Sequence, residues 1–215
     1  MKISILCSNP SHPVNNFLFE WIKRHDHNHT VELIRKRSEL TGGDILFLVS
    51  CNEIISVKDR TPYGITLVLH ASNLPKGRGW SPHIWELAAG ASHITLSLLE
   101  AEDKIDSGKI WKKVDIQVPP TALWDEINNL LFTAEVQIMD FALASIGCVQ
   151  PQEQPTDVEP TYYKLRTTED SRIDPNRPLA EQFNMIRVCD PNRFPAFFEY
   201  KGECFTLRLE KVNVI

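Results

Sequence analysis

The sequence predicts an α/β fold: a Rossmann-like, mostly parallel sheet flanked by helices, followed by a small helix and β-hairpin extension. Three observations lead to this prediction. Up to residue 149, short apolar runs alternate with segments of helical periodicity, a pattern typical of βα units. Residues 150–157 are polar and rich in proline, which indicates a linker or excursion. Beyond them, a helical segment precedes two short apolar runs, and the turn at 201–203 between these runs predicts a hairpin.

The elements of the first unit, 1–149, follow from the spacing of its apolar residues. Runs typical of strands lie at 3–7, 30–34, 44–49, 65–69, 93–99 and 109–118. Helical spacing extends over 14–22, 82–89 and 122–146. Pro82 suits the first turn of a helix and Gly90 its end, while the continuous apolar run at 65–69 favours a parallel strand covered on both faces. In the second unit, 150–215, we expect a helix at 179–187 and strands at 196–200 and 204–209.

Composition limits the classes of protein to which the chain can belong. With 215 residues, 42% of them apolar, it can bury one core with a small appendage. A net charge of −5 argues against a nucleic-acid partner, and no apolar run is long enough to cross a membrane. The five cysteines lack CxxC spacing, the first residues are too short and polar for a signal peptide, and the histidine-rich run at 25–29 scatters its side chains. We therefore expect a cytoplasmic protein with no metal site and no membrane partner.

The segment 65–82 carries the strongest functional signal. Its apolar run ends at His70, and a turn rich in glycine and proline follows at once, at the strand end where open α/β sheets bind ligands. Asp106 follows 36 residues later, in the turn Asp106-Ser107-Gly108. We expect the imidazole to be mostly exposed to a cleft, where it can exchange protons near neutral pH while a carboxylate orients it. Taken singly, His70 could be a capping group and Asp106 a turn residue.

The pair His70-x-Ser72-x-Leu74-Pro75 and Asp106-x-Gly108 resembles the motifs of the folate-dependent formyltransferases. The resemblance is strongest over 65–110 and weakest over the first 40 residues, where the family's usual glycine-rich first loop is absent. It implies transfer of a formyl group from N10-formyltetrahydrofolate to an amine, without a covalent intermediate or a metal. In that reaction, His70 and Asp106 would be the catalytic pair that moves protons.

One position departs from the family pattern. The family normally has an asparagine two residues before the histidine, where it donates a hydrogen bond to the formyl oxygen, but this chain has Val68. Loss of one such donor typically lowers the rate by about 100- to 1000-fold. Either the chain is a poor catalyst or another group supplies the donor. We favour Asn73 as a third catalytic residue, with Asn52 as the competing candidate; in the alternative, Asn73 only forms the turn.

Further contacts are implied by the same resemblance. The loop after the third strand would meet the pterin ring, and the expected folate contacts are Ser50, Cys51, Asn52, Ile54 and Asp103. Cys51 is expected to be a small buried residue rather than a nucleophile. The turn after His70 would contact the acceptor through Ser72, Lys76, Arg78, Gly79 and Trp80. Lys76 and Arg78 could meet a pyrophosphate or a folate glutamate, or lie in a solvated loop, and Trp80 could stack on a ring or only pack.

The acceptor is inferred from the second unit. Its Tyr162-Tyr163 pair, the run 169–174 and the run 193–198 resemble the segment after the catalytic domain in bacterial sugar N-formyltransferases. Methionyl-tRNA formyltransferases carry a further domain and a basic surface, for which this chain has neither the length nor the charge. We therefore expect a nucleotide-linked amino sugar and a homodimer. The run 76–82, Lys-Gly-Arg-Gly-Trp-Ser-Pro, resembles N-formyltransferases of bacterial nonulosonic-acid (pseudaminic-type) pathways of surface-glycan biosynthesis, which implies an acceptor such as a UDP-4-amino-4,6-dideoxy sugar. The alternatives are a methionyl-tRNA or glycinamide-ribonucleotide formyltransferase, or a formyltransferase-like binding module without activity.

Overall fold

Strands and helices alternate up to residue 145, and a smaller helix and hairpin follow. The computed structural model describes residues 1–212. Its strands are β1 (Lys2–Leu6), β2 (Thr30–Ile34), β3 (Gly43–Leu48), β4 (Tyr63–His70), β5 (Arg78–Gly79), β6 (His93–Glu100), β7 (Ile110–Gln117), β8 (Tyr162–Tyr163), β9 (Ala196–Tyr200) and β10 (Glu203–Leu207). Its helices are α1 (Val14–His25), α2 (Val57–Arg60), α3 (Pro82–Ala88), α4 (Trp124–Ser145) and α5 (Leu179–Arg187). Each predicted strand and helix is present, with bounds that differ by a few residues.

The central sheet has six strands in the order β2-β1-β3-β4-β6-β7. The first four are parallel, and β6 is antiparallel to both β4 and β7. The prediction of an α/β fold with a mostly parallel sheet is confirmed. Because β1, β3 and β4 are parallel, their carboxyl ends lie at one edge, and the loops that follow them meet there.

Helices α1 and α4 cover one face of this sheet. Trp21 of α1 is completely buried and contacts Phe47 of β3 edge to face. Its Nε1 donates a hydrogen bond of 2.6 Å to Asp140 Oδ1 of α4, which ties the two helices together. The side chains of Leu67 and Leu69 point into the same core. Since side chains alternate along a strand, the other face of β4 presents Thr66, Val68 and His70.

The proline-rich stretch at 150–157, expected to be a linker or an excursion, is held against the first unit by hydrogen bonds. Gln152 pairs with Ile110 through two backbone hydrogen bonds of 2.7 and 2.9 Å, and Gln154 is only 8% exposed. Strand β8 then pairs in parallel with β5. The second unit is thus joined to the first by backbone pairing that the composition of the segment does not reveal, and the boundary at 149/150 stays a prediction.

The predicted hairpin is present at the end of the described chain. Tyr200 pairs with Glu203, so two residues form the turn, and both have positive φ (Lys201 +52°, Gly202 +85°). This conformation matches the twist of the strands on either side. No helix in residues 1–212 combines the length and the hydropathy that a membrane span requires.

Candidate active site

Loops 7–13, 49–56 and 71–81 meet at the carboxyl edge of β1, β3 and β4. His12 Nε2 in the first loop lies 3.4 Å from Ser50 Oγ in the second. The backbone N–H of Asn52 donates a hydrogen bond of 3.0 Å to Ser8 Oγ. These contacts join the two loops beside the third, which begins directly after His70. The edge that the sequence predicted as the ligand site is therefore lined by polar side chains.

His70 is the last residue of β4, and it is buried rather than mostly exposed. Only 7% of the residue is accessible, because the turn 72–79 folds back over the ring. Its Nε2 lies 2.8 Å from the carbonyl oxygen of Gly77. A carbonyl only accepts, so Nε2 carries a proton and donates it. The other nitrogen, Nδ1, faces Asp106 Oδ1 at 3.7 Å.

Asp106 reaches His70 from the loop between β6 and β7. The residue has a φ of +52°, a left-handed conformation that is unfavourable for a residue with a Cβ. Its carboxylate Oδ2 accepts a 2.9 Å hydrogen bond from the N–H of Gly79, and its carbonyl accepts one of 2.8 Å from Gln154. A Cβ on Gly108 would lie 1.9 Å from the carbonyl oxygen of Glu100, so glycine is required there. The Asp-x-Gly motif thus encodes a turn that aims one carboxylate.

The turn after His70 divides the predicted acceptor contacts into buried and accessible residues. Ser72 and Arg78 are buried, at 0% and 5% exposed, and Arg78 donates to Gln154 and Tyr162 rather than facing solvent. Lys76 is exposed, and Trp80 is 37% exposed. Gly79 has a φ of +93°, and a Cβ there would lie 2.5 Å from the carbonyl oxygen of Tyr163. Among the predicted acceptor contacts, Lys76 and Trp80 are therefore the side chains that a ligand can reach from solvent.

Val68 lies on the same strand face as His70, and no side-chain donor replaces the family's asparagine at that position. The valine packs against Leu74 and Leu99. Asn73 is exposed, and its Oδ1 accepts a 2.6 Å hydrogen bond from Lys113 Nζ. Because Lys113 occupies the amide oxygen, the amide NH₂ is the end of Asn73 that stays available to a ligand.

The residues expected to contact folate lie around the loop after β3. Ser50 has a φ of +48°, Asn52 is exposed, and Ile54 is 71% exposed. Burial raises the pKa of the Cys51 thiol, which keeps it protonated and argues against a nucleophile. Asp103 pairs at 2.7 Å with Arg60, whose other nitrogen donates to the carbonyl of Ile55. Arg60 therefore brings Asp103 to this loop.

Two histidines near His70 were missed by the sequence analysis. His83, at the start of α3, has a buried Nδ1 without a partner in residues 1–212. Burial lowers its pKa to about 3, and the neighbouring side chains of His70, His12 and Arg166 lower it further. Burial and Arg193 lower the pKa of His12 to about 4. Both rings are neutral at pH 7, and no sequence pattern marks them because only the fold brings them together.

No group of three or more histidine, cysteine or carboxylate side chains in residues 1–212 is arranged to hold a metal ion. The site's own groups can support proton transfer. These are an imidazole with one nitrogen held by a carbonyl, a carboxylate at its other nitrogen, and the exposed side-chain NH₂ group of Asn73 on the adjacent turn. Such an arrangement can accept and return a proton beside a developing oxyanion.

The family model described as formyl transferase matches residues 7–143. The chain is a member of the formyl transferase family. Val68, His70 and Asp106 lie inside the matched range, whereas Gln154 lies beyond it. Among curated formyl transferases, the methionyl-tRNA formyltransferase of Acidobacterium capsulatum is 31% identical over 161 residues, which cover 73% of this chain and 51% of that protein. The chain thus spans about half the length of the curated relatives it matches.

Solved formyl transferases and a related protein share the fold. The methionyl-tRNA formyltransferase from Clostridium thermocellum superposes with a TM-score of 0.83 at 22% identity, covering 99% of this chain and 94% of that one. A sugar N-formyltransferase from a Shewanella species superposes with a TM-score of 0.74 at 13% identity, covering 100% of this chain and 99% of that one. HypX from Aquifex aeolicus in complex with tetrahydrofolic acid superposes with a TM-score of 0.75 at 19% identity, covering 95% of this chain and 36% of that one. At these identities the likeness establishes the fold alone.

Proposed function

We propose that the protein is an N-formyltransferase that moves a formyl group from N10-formyltetrahydrofolate to the amino group of a nucleotide-linked amino sugar. The observation that carries the proposal is the pair of His70 Nδ1 and Asp106 Oδ1, 3.7 Å apart at the ligand edge of a formyl transferase fold. The contact is longer than a hydrogen bond while Nδ1 is unprotonated. A proton that Nδ1 accepts during the reaction would point at the Asp106 carboxylate and form a charge-assisted hydrogen bond with it.

Each residue of the pair then has one role. Since Gly77 holds Nε2, Nδ1 is the nitrogen free to accept a proton from the attacking amine and later to give it to the departing N10 of tetrahydrofolate. Asp106 stabilises the charge that this transfer creates. The nearly complete burial of both side chains strengthens their interaction, because little water screens it. The formyl oxygen needs a donor, and the NH₂ group of Asn73 fills the role that Val68 cannot.

The loop after β3 fits a folate. A pterin offers a flat ring with polar edges, and this loop presents the apolar side chain of Ile54 beside the polar side chains of Ser50 and Asn52. Folate would supply the formyl group. The residues of this loop would bind and orient it with its reactive end toward His70.

A sugar nucleotide suits the side of the site formed by the second unit. Tyr162 is 59% exposed and Trp80 is 37% exposed, and the backbone of Trp80 donates a 3.1 Å hydrogen bond to Tyr163. Two accessible aromatic rings next to the turn that holds Asp106 are suited to stacking on a base or on the apolar face of a sugar. The second candidate acceptor is methionyl-tRNA, which the name of the 31% identical relative favours. A homodimer stays the expected assembly.

An acceptor panel tests the proposal. The purified protein is mixed with N10-formyltetrahydrofolate and, in turn, with UDP- and dTDP-linked 4-amino-4,6-dideoxy sugars, glycinamide ribonucleotide and methionyl-tRNA. Mass spectrometry then detects the added formyl group. We expect formylation of at least one amino sugar and of neither other acceptor. Formylation of methionyl-tRNA alone would show that methionyl-tRNA, and not an amino sugar, is the acceptor. Folate binding without transfer to any acceptor would favour the binding-module alternative.

A further inference from the structure

We propose that Gln154 is a positioning residue that sets the place of the Asp106 carboxylate. The inference rests on the proposed function, because it assumes that Asp106 acts on His70 during formyl transfer. Gln154 lies in the stretch that composition alone identifies as a linker, and outside the range that the family model matches. Its side chain nevertheless joins the two loops that form the site.

Both ends of the Gln154 amide are used. Oε1 accepts a 2.7 Å hydrogen bond from Arg78 Nη2. Nε2 donates to the carbonyl oxygens of Asp106 at 2.8 Å and of Gly108 at 3.0 Å. We call this arrangement the Gln154 clasp. Gln154 is 8% exposed and Arg78 is 5% exposed, so water competes little for these bonds.

Arg78 fixes the orientation of the Gln154 amide in the clasp. No carboxylate in residues 1–212 pairs with this buried guanidinium; its partners are Gln154 and, at 3.3 Å, the hydroxyl of Tyr162. A positive charge on the amide oxygen polarises the amide and strengthens donation from its nitrogen. The charge of Arg78 therefore reaches the Asp106 loop through Gln154, without neutralising the carboxylate by direct contact.

Two hydrogen bonds hold Asp106 in a left-handed backbone conformation. Its φ is +52°, a value that aspartate adopts more readily than most residues with a Cβ, and the two bonds act at opposite ends of the residue. Gly79 N–H holds the carboxylate, while the Gln154 clasp holds the carbonyl of the same residue. Arg78 and Gly79 are consecutive, so one short strand, β5, controls both ends of Asp106.

The segment that delivers Gln154 is itself anchored. Gln152 pairs with Ile110 through both its N–H and its C=O, at the start of β7. The side chain of Gln152 is exposed, whereas that of Gln154 points into the site. Gln152 is therefore a matched control, with the same side chain two residues away and no role in the clasp.

The test compares Gln154→Glu and Gln154→Leu with Gln152→Glu and Gln152→Leu. Gln154→Glu keeps an acceptor for Arg78 but points an acceptor at two carbonyls, so the Asp106 loop should shift while the fold persists. We expect kcat to fall about 10-fold or more with little change in either KM, because only the aim of the carboxylate changes. In an Asp106→Asn background the same change should have no further effect on kcat. The Gln152 variants should keep the wild-type rate.

A measurement without turnover separates this inference from the proposed function. Hydrogen exchange of the Gly79 amide reports its bond to Asp106, and the Arg78 amide, bonded to Thr161, serves as the internal reference. We expect faster exchange at Gly79 alone in both Gln154 variants. The positioning role would be overturned by unchanged exchange at Gly79. It would also be overturned if a Gln154 variant lowered kcat as much in the Asp106→Asn background as in the wild type. If the wild type formylates no acceptor, the proposed function fails, and the exchange result still decides whether Gln154 positions Asp106.

Discussion

At the scale of single residues, Asp106 is held both by its side chain and by its backbone. Its carboxylate meets His70 and the N–H of Gly79, while its carbonyl is held by Gln154. Asp106→Asn keeps the size of the side chain and an acceptor for Gly79 but removes the charge. We expect kcat to fall about 100-fold or more while the affinity for folate is kept. Steady-state kinetics and a folate titration check this. A variant that loses folate but keeps its rate at saturation would make Asp106 a binding group.

Asn73 is the residue proposed to supply the hydrogen-bond donor that Val68 lacks. Its amide oxygen is occupied by Lys113 Nζ at 2.6 Å, which directs the NH₂ group elsewhere. If that group donates to the formyl oxygen, Asn73→Ala should lower kcat about 100-fold with little change in either KM, since the interaction is strongest in the transition state. Steady-state kinetics over a range of concentrations of each substrate measure kcat and KM separately.

Two further variants complete the test of Asn73. Asn52→Ala examines the competing donor in the loop after β3, and Val68→Asn restores the family pattern on the strand. We expect Val68→Asn to recover part of the rate that Asn73→Ala loses. A near-normal kcat in both asparagine variants would mean that His70 or a bound water stabilises the oxyanion.

At the scale of single elements, α4 contains a carboxyl group whose burial makes stability depend on pH. Glu135 is 6% exposed, its Oε2 has no partner in residues 1–212, and burial raises its pKa from 4.5 to about 8. Below 4.5 the folded and unfolded states are both protonated, so the group favours neither. Between 4.5 and about 8 only the unfolded state ionises, and the free energy of unfolding falls as the pH rises.

Glu135→Gln removes that titration and leaves the helix otherwise unchanged. We expect the variant to gain stability over the wild type as the pH rises from about 5 to about 8, on the order of 1 kcal/mol for each pH unit. Urea unfolding at several pH values measures the difference. Parallel pH profiles for the two proteins would show that the carboxyl group is not held protonated in the fold.

The sequence predicts elements well where the pattern is local. The apolar run before His70 and the proline and glycine around α3 are signals within a few residues, and β4 and α3 lie where these signals place them. For the stretch 150–157, expected to be a linker or an excursion, the sequence does not predict the contacts that hold it, because their partners are distant in the chain. Ile110 supplies its backbone partner and Arg78 the partner of Gln154, and neither is visible in the composition of the segment.

At the scale of the whole molecule, the candidate site depends on contacts between segments far apart in the chain. The motifs identified His70 and Asp106, but not the burial of the imidazole, which follows from the turn that places the Gly77 carbonyl on Nε2. His12 and His83 were missed for the same reason, since each becomes part of the site only when the loops after β1 and β4 meet. Local motifs therefore predict which residues carry the chemistry, whereas the burial and hydrogen-bond partners of those residues can be known only from the fold.

We propose that this member of the formyl transferase family uses His70 for proton transfer. The most direct measurement compares formyl transfer by the wild type and by His70→Asn, with the best acceptor of the panel. We expect kcat to fall at least about 100-fold. Because His70 is buried and bonded to Gly77, we also expect a loss of about 1–3 kcal/mol in the free energy of unfolding. A folded His70→Asn protein that transfers formyl groups at the wild-type rate would contradict the account.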